Sequence, residues 1–148
     1  MSAPLVFSNP TSKIADMSES KSFISGCKGL SLTADEKAFF RSERPWGFIL
    51  FGRNIGEPEQ IRDLCAAMRD TVGRPDAPVF IDQEGGRVQR IRAPIAPSYP
   101  PGSAIGAIYQ NDRDEGLRAA WLLARLHAFN FRDLVKKPDG RLGICFDT

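Results

Sequence analysis

Short apolar runs alternate along this chain with segments whose apolar residues recur every three or four positions. Phe23-Ile24-Ser25-Gly26 makes a short strand candidate. The following SLTADEKAFF holds Thr33 and Glu36 in the spacing of a capping box, so a helix is predicted to start there. Pro45 ends that helix, and Trp46 to Phe51 (WGFILF) forms a continuous apolar run of strand length. A run without alternation suits a strand buried on both faces, as in a parallel sheet. A loop, GRNIGEPEQ, then closes on Pro58 in the first turn of a second helix, where a missing N–H costs nothing. Ile61, Leu64, Cys65, Met68 and Val72 share one face of that helix, and Gly73 stops it.

The third strand is APVFID, ending at Asp82. Residues 83–111, rich in proline and glycine, predict a long segment with little regular structure, of the kind that usually serves a function. Asp112 and Glu115 repeat the capping-box spacing. Behind them Leu117, Ala120, Trp121, Ala124, Ala128 and Phe131 predict the buried stripe of a further helix. The order β-α-β-α-β-loop-α implies right-handed crossovers and a parallel sheet. Both a doubly wound sheet and the opening of a β/α barrel fit. A complete barrel needs roughly 250 residues, so 148 would hold only its first part.

Composition narrows the function classes more than the fold. A hydrophobic fraction of 42% and a charged fraction of 26% lie in the ordinary globular range. The net charge of +2, with acids and bases interleaved, argues against nucleic acid or a membrane surface as partner. No window reaches the run of about 18 apolar residues that a membrane span needs. The first residues lack the charged start of a signal peptide and read as a disordered extension, with Met17 a second plausible start. Cys27, Cys65 and Cys145 are odd in number and widely spaced, which suits reduced thiols in the cytoplasm and offers no structural zinc site.

The densest chemistry lies in APVFIDQEGGRVQR, residues 77–90. In parallel α/β architectures reactive groups gather at the C-terminal ends of strands, and Asp82 occupies such an end. Glu84 follows two residues later, Gly85-Gly86 permits a sharp turn and close approach of a ligand, and Arg87 and Arg90 come next. A local ion-pair network bracing a turn and a ligand site both fit this spacing. Paired carboxylates are also what glycosidases use, although residues this close would lie side by side rather than flank a sugar.

GFILFGRN followed by IDQEGGRVQR resembles the N-terminal part of family 3 glycoside hydrolases, specifically bacterial β-N-acetylhexosaminidases. SLTADEKAFF, YPPGSAIG and LLARLHAF are similar to the corresponding family segments, so the likeness runs from about Phe23 to Leu134. It implies the first βα units of a (β/α)8 TIM-type barrel, incomplete in this chain. It also implies a retaining enzyme that removes terminal β-linked N-acetylglucosamine from saccharides or muropeptides in the cytoplasm, during cell-wall recycling. No metal or organic cofactor is expected, nor any nucleic-acid or membrane partner.

Carried over residue by residue, the resemblance makes Asp82 and Arg90 substrate-binding. An ionised carboxylate accepts from vicinal hydroxyls and a guanidinium fork donates to sugar oxygens. Glu84 and Arg87 are expected to support the turn, and Arg53-Asn54, at another strand end, either to brace the sugar site or, as the favoured reading, to play a structural part. The family's catalytic histidine, in a KHFPGHG-like motif, and its aspartate nucleophile have no counterpart here. The one histidine, His127, is expected on the surface of its helix or partly buried, without a catalytic role. Past Leu134 the likeness fails in VKKPDGRLGICFDT.

The chain thus reads as an extension (residues 1–21), a barrel portion (22–134) and a divergent tail (135–148), as from a truncated or frameshifted gene. It is expected to be inactive in isolation. The alternatives are a non-catalytic sugar-binding remnant or assembly fragment, and an unrelated α/β module binding a cation through Asp82 and Glu84.

Overall fold

The computed structural model describes residues 20–134. The extension, apart from its last two residues, and the tail with Cys145 therefore lie outside the described residues. Three strands, β1 (Lys21–Ser25), β2 (Pro45–Leu50) and β3 (Val79–Ile81), form one sheet in that spatial order, and both pairings are parallel. Helix α1 (Ala34–Glu43) joins β1 to β2, and α2 (Pro58–Val72) joins β2 to β3. No described helix is long and apolar enough to cross a membrane.

The local signals that set these boundaries work through side-chain chemistry. The Thr33 side chain accepts from the Glu36 N–H at 3.2 Å, and the Glu36 carboxylate accepts from the Thr33 N–H at 2.9 Å. Two helix-end donors are thereby satisfied. Burial alone would raise the Glu36 carboxyl, but donors from Thr33 and the Lys28 backbone hold it below its ordinary value. Arg44 closes α1 in the left-handed region with φ 52°, and Pro45 then opens β2, one residue earlier than the apolar run suggests. Gly73 caps α2 at φ 64°, donating its N–H to Arg69 and Asp70 carbonyls.

One sheet face carries Phe48, Leu50, Val79 and Ile81 into a core shared with Phe40 of α1 and with Ile61, Leu64 and Met68 of α2. Phe40 and Phe48 meet edge to face at 5.1 Å. The opposite sheet face presents Ile24, Ile49 and Phe80, which the register sets side by side through Gly47. Gly47 is needed there, because a Cβ would stand 2.9 Å from Pro78 Cγ and 3.3 Å from the Phe80 ring.

Two expectations are corrected. Residues 83–111 are not structureless: they hold a hairpin of β4 (Gln83–Gly85) and β5 (Val88–Gln89), and a helix α3 (Gly102–Asn111). Helix α3 carries two glycines and no side-chain cap, so its order comes from packing against α4 (Arg113–Leu134) rather than from propensity. The hinge between them is Asp112, whose N–H donates to the Ile108 carbonyl of α3. Its carboxylate accepts from the Asp114 and Glu115 N–H groups of α4, each at 3.0 Å.

The second correction concerns the stripe that α4 buries. Leu117 and Trp121, placed by periodicity in the core, are 48% and 57% exposed. The packed face instead runs through Gly116, Leu123, His127, Phe131 and Leu134. Helix α4 is apolar on both sides, so periodicity alone does not choose between them.

Candidate functional site

Strand β3 delivers Asp82 at its C-terminal end, and the hairpin immediately returns the chain to Arg90. Gln83 pairs with Gln89 in the ladder, which sets Asp82 opposite Arg90 one step outside it. Arg90 Nη2 donates to Asp82 Oδ2 at 2.9 Å. The two side chains keep 30% and 29% of their surface open, so the pair is accessible from outside. At that exposure the ion pair contributes well under about 1 kcal/mol to stability. Arg90 Nε is buried and makes no hydrogen bond among the described residues.

Two glutamines, which a reading of charges passed over, hold this geometry. Gln83 Oε1 accepts from the Arg90 and Ile91 N–H groups at 2.9 and 3.0 Å, while its amide donates to the Ile91 carbonyl. Gln89 donates to the carbonyls of Ile91 and Pro97 and accepts from the Tyr99 N–H. Both side chains are buried. Their signal in sequence was positional: Gln83 and Gly85 alternate with Asp82 and Glu84, so they point inward where the charges point outward.

Gly85-Gly86 does bend the chain, with φ 93° and 57°. What approaches it closely is the chain's own Tyr99–Pro101 segment. A Cβ on Gly85 would overlap the Pro100 carbonyl, one on Gly86 would sit 2.8 Å from Pro101 Cβ, and the Gly86 N–H donates to the Tyr99 carbonyl. The turn is braced from outside by Arg92, which donates to the carbonyls of Gly86 and Arg87. Glu84 and Arg87, expected to support the turn, are exposed.

At the end of β2, Arg53 and Asn54 occupy a single 3₁₀ turn (Gly52–Asn54). Asn54 is fully buried: its amide nitrogen donates to the Cys27 and Gly29 carbonyls, and its oxygen accepts from the Phe51 N–H. Arg53 Nε also donates to the Cys27 carbonyl at 2.9 Å, with its guanidinium over the Phe51 ring. The pair ties the end of β2 to the end of β1, the structural role expected of it.

His127 is more deeply buried than expected, at 4% exposure, with its ring edge-on to Tyr99 at 4.6 Å. Tyr99 in turn accepts at its hydroxyl from the Asn130 amide at 2.6 Å. Burial lowers the His127 pKa below its ordinary 6.5. The unfolded chain then binds a proton more readily than the folded one, so stability is expected to fall as pH drops below about 6.5 and to level off once both states are protonated. Denaturant midpoints measured across that window, with His127→Gln flattening the profile, test this; an equal slope in the variant would refute it.

Burial also raises the Cys27 thiol, with help from the Glu36 carboxylate, and pushes Cys65 up to about 11. Both are inert thiols. Among the described residues no group of three or more His, Cys, Asp or Glu is placed to hold a metal ion. Asp82 turns to Arg90 instead of joining Glu84.

An α/β chain with a parallel sheet, two crossover helices and an acid–guanidinium pair at a strand's C-terminal end has clear relatives. It is 41% identical over 122 residues to a β-hexosaminidase of Stenotrophomonas maltophilia, covering 80% of this chain and 36% of that protein. The fold matches native NagZ from Neisseria gonorrhoeae with a TM-score of 0.68 and 27% identity, over 79% of this chain and 34% of that one. The same NagZ in complex with N-trifluoroacetyl-D-glucosamine matches at 0.58 and 29% identity, over 78% of this chain and 31% of that one. A glycoside hydrolase family 3 β-N-acetylglucosaminidase from Paenibacillus matches at 0.51 and 30% identity, over 57% of this chain and 16% of that one. No protein-family model matches the chain. These likenesses relate the chain to the N-terminal part of family 3 β-N-acetylhexosaminidases. It spans about a third of the length of the curated relatives it matches.

Proposed function

We propose that this chain is the N-terminal portion of a cytoplasmic β-N-acetylhexosaminidase, and that Asp82 and Arg90 form part of the subsite gripping a terminal N-acetylglucosamine. The observation that carries this reading is the accessible Asp82–Arg90 pair, 2.9 Å apart at the C-terminal end of β3. Such a pair offers an acceptor for vicinal hydroxyls beside a donor for ring substituents. A relative's complex with N-trifluoroacetyl-D-glucosamine supports the choice of sugar.

In the same reading the three parallel strands open a (β/α)8 barrel. The apolar face bearing Ile24, Ile49 and Phe80 is what a barrel interior, filled by layers of branched and aromatic side chains, would present. Glycosidic hydrolysis of this type needs a proton donor and a nucleophile on opposite sides of the bond. The chain's one histidine is buried in α4 against Tyr99, so the chain by itself should bind sugar without cleaving it. The open sheet face also favours a second reading, an assembly fragment completed by a complementary chain.

Calorimetric titration of the full chain with N-acetylglucosamine is expected to show weak saturable binding. Asp82→Ala should lower the affinity at least tenfold or so, the loss expected for a charge-assisted hydrogen bond. Unchanged binding by Asp82→Ala, or none by the parent chain, would count against the subsite. Turnover of a chromogenic N-acetylglucosaminide by the chain alone would refute its proposed inactivity.

A further inference from the structure

Tyr99 belongs to two parts of the fold at once. Its backbone is tied to the hairpin: the carbonyl accepts from the Gly86 N–H at 2.8 Å, and the N–H donates to Gln89 Oε1 at 2.9 Å. Its side chain is tied to α4: the hydroxyl accepts from the Asn130 amide at 2.6 Å, and the ring meets His127 edge-on at 4.6 Å. His127 and Asn130 stand three residues apart, so both project from the same side of α4. Asn130 holds the tip of the Tyr99 ring while His127 packs against the ring itself.

Gln89 carries this restraint onward. Its amide donates to the carbonyls of Ile91 and Pro97 at 2.9 and 2.7 Å. The Ile91 carbonyl also accepts from Gln83, whose own side-chain oxygen takes the Arg90 N–H. A path of covalent and hydrogen bonds therefore runs from Asn130 through Tyr99, Gln89 and Gln83 to the Arg90 backbone. The Arg90 side chain has few anchors of its own. Its Nη2 donates to Asp82, while Nε is buried and makes no hydrogen bond among the described residues. Such a guanidinium points where its backbone aims it.

We propose that Tyr99 is a positioning residue for the Asp82–Arg90 pair, and that α4, through Asn130 and His127, thereby sets how the pair grips a sugar. The second half of this inference rests on the sugar-binding reading above. Binding groups keep a productive geometry when the residues behind them are locked by packing and hydrogen bonds. Here the lock comes from a helix that gives no side chain to the pair itself. Tyr99 and Asn130 are both half-buried, so breaking the bond between them loosens the pair more than it unfolds the chain.

Tyr99→Phe keeps the ring and both backbone bonds but removes the hydroxyl, and Asn130→Ala removes its donor. In the full chain each is expected to weaken N-acetylglucosamine binding roughly fivefold, the scale of one net hydrogen bond, with an unaltered circular dichroism spectrum. Because both delete the same bond, the double variant should lose no more than either alone. A second readout needs no sugar. The Arg90 Nε–H signal in nitrogen–proton NMR spectra, assigned by its loss in Arg90→Lys, should be sharp in the parent and broadened in both variants. Gly73→Ala, which loosens the end of α2 without touching this path, should leave signal and affinity as in the parent. A parent chain that binds no sugar would sink the sugar-binding reading, while a broadened Arg90 signal would still uphold the positioning role. Unaltered Arg90 signals in both variants, additive losses in the double variant, or the same changes in Gly73→Ala would overturn the proposal.

Discussion

Replacing Gly85 by alanine is expected to destabilise the chain by roughly 3 kcal/mol, the sum of a left-handed penalty and an overpacking cost. Gly85 holds φ 93°, and its added Cβ would overlap the Pro100 carbonyl, which belongs to backbone and has no rotamer by which to withdraw. The matched control is Gly73→Ala. Gly73 also has positive φ, at 64°, but a Cβ there would meet nothing within 4 Å, so only the conformational penalty of about 1–2 kcal/mol remains. Urea midpoints of the two variants therefore separate the close approach from the backbone angle. Equal losses would mean that the 99–101 segment gives way freely, and that the hairpin does not depend on it.

Removing the Asn54 amide is the second large effect. Asn54→Ala leaves the Phe51 N–H and the Cys27 and Gly29 carbonyls without this partner, in a site where the side chain has no exposure. Each buried group left unsatisfied costs about 1–3 kcal/mol, of which Arg53 retains part through its own bond to Cys27. A net loss of roughly 3 kcal/mol is expected, with earlier amide exchange at Phe51 as the local signature. Asp82→Ala, by contrast, should barely move the midpoint, because its ion pair is partly exposed. If Asn54→Ala were as mild as Asp82→Ala, the structural role given to Arg53-Asn54 would fail.

How much was legible in the sequence depended on the range of the interaction involved. Thr33 with Glu36, Pro45, Pro58 and Gly73 act within a turn of their own position, and the helices begin and end where those residues place them. The unalternated run Trp46–Phe51 announced a strand buried on both faces; β2 forms there as the central strand, but only one of its faces is buried, with Trp46 43% exposed on the other. Asp82 was readable as the residue beyond a strand end, and the structure sets it opposite Arg90. The hairpin escaped because β4 and β5 are only three and two residues long, too short for any period to emerge. The part played by Gln83 and Gln89 escaped because they bond to backbone some way along the chain, at Ile91, Pro97 and Tyr99.

By itself, then, the sequence determined the order of the three parallel strands and their crossover helices, the helix ends, and the residue that crowns β3. Those features follow from backbone propensity, capping and hydrophobic period, all of which are local. Tertiary structure alone decided that α3 is a helix, that α4 buries His127 and turns Trp121 outward, and that Gly85-Gly86 yields to Tyr99–Pro101. Each of those outcomes is a choice between surfaces or conformations of similar local merit. Only contact with another element, α4 for α3 and the 99–101 segment for the hairpin, separates them in free energy.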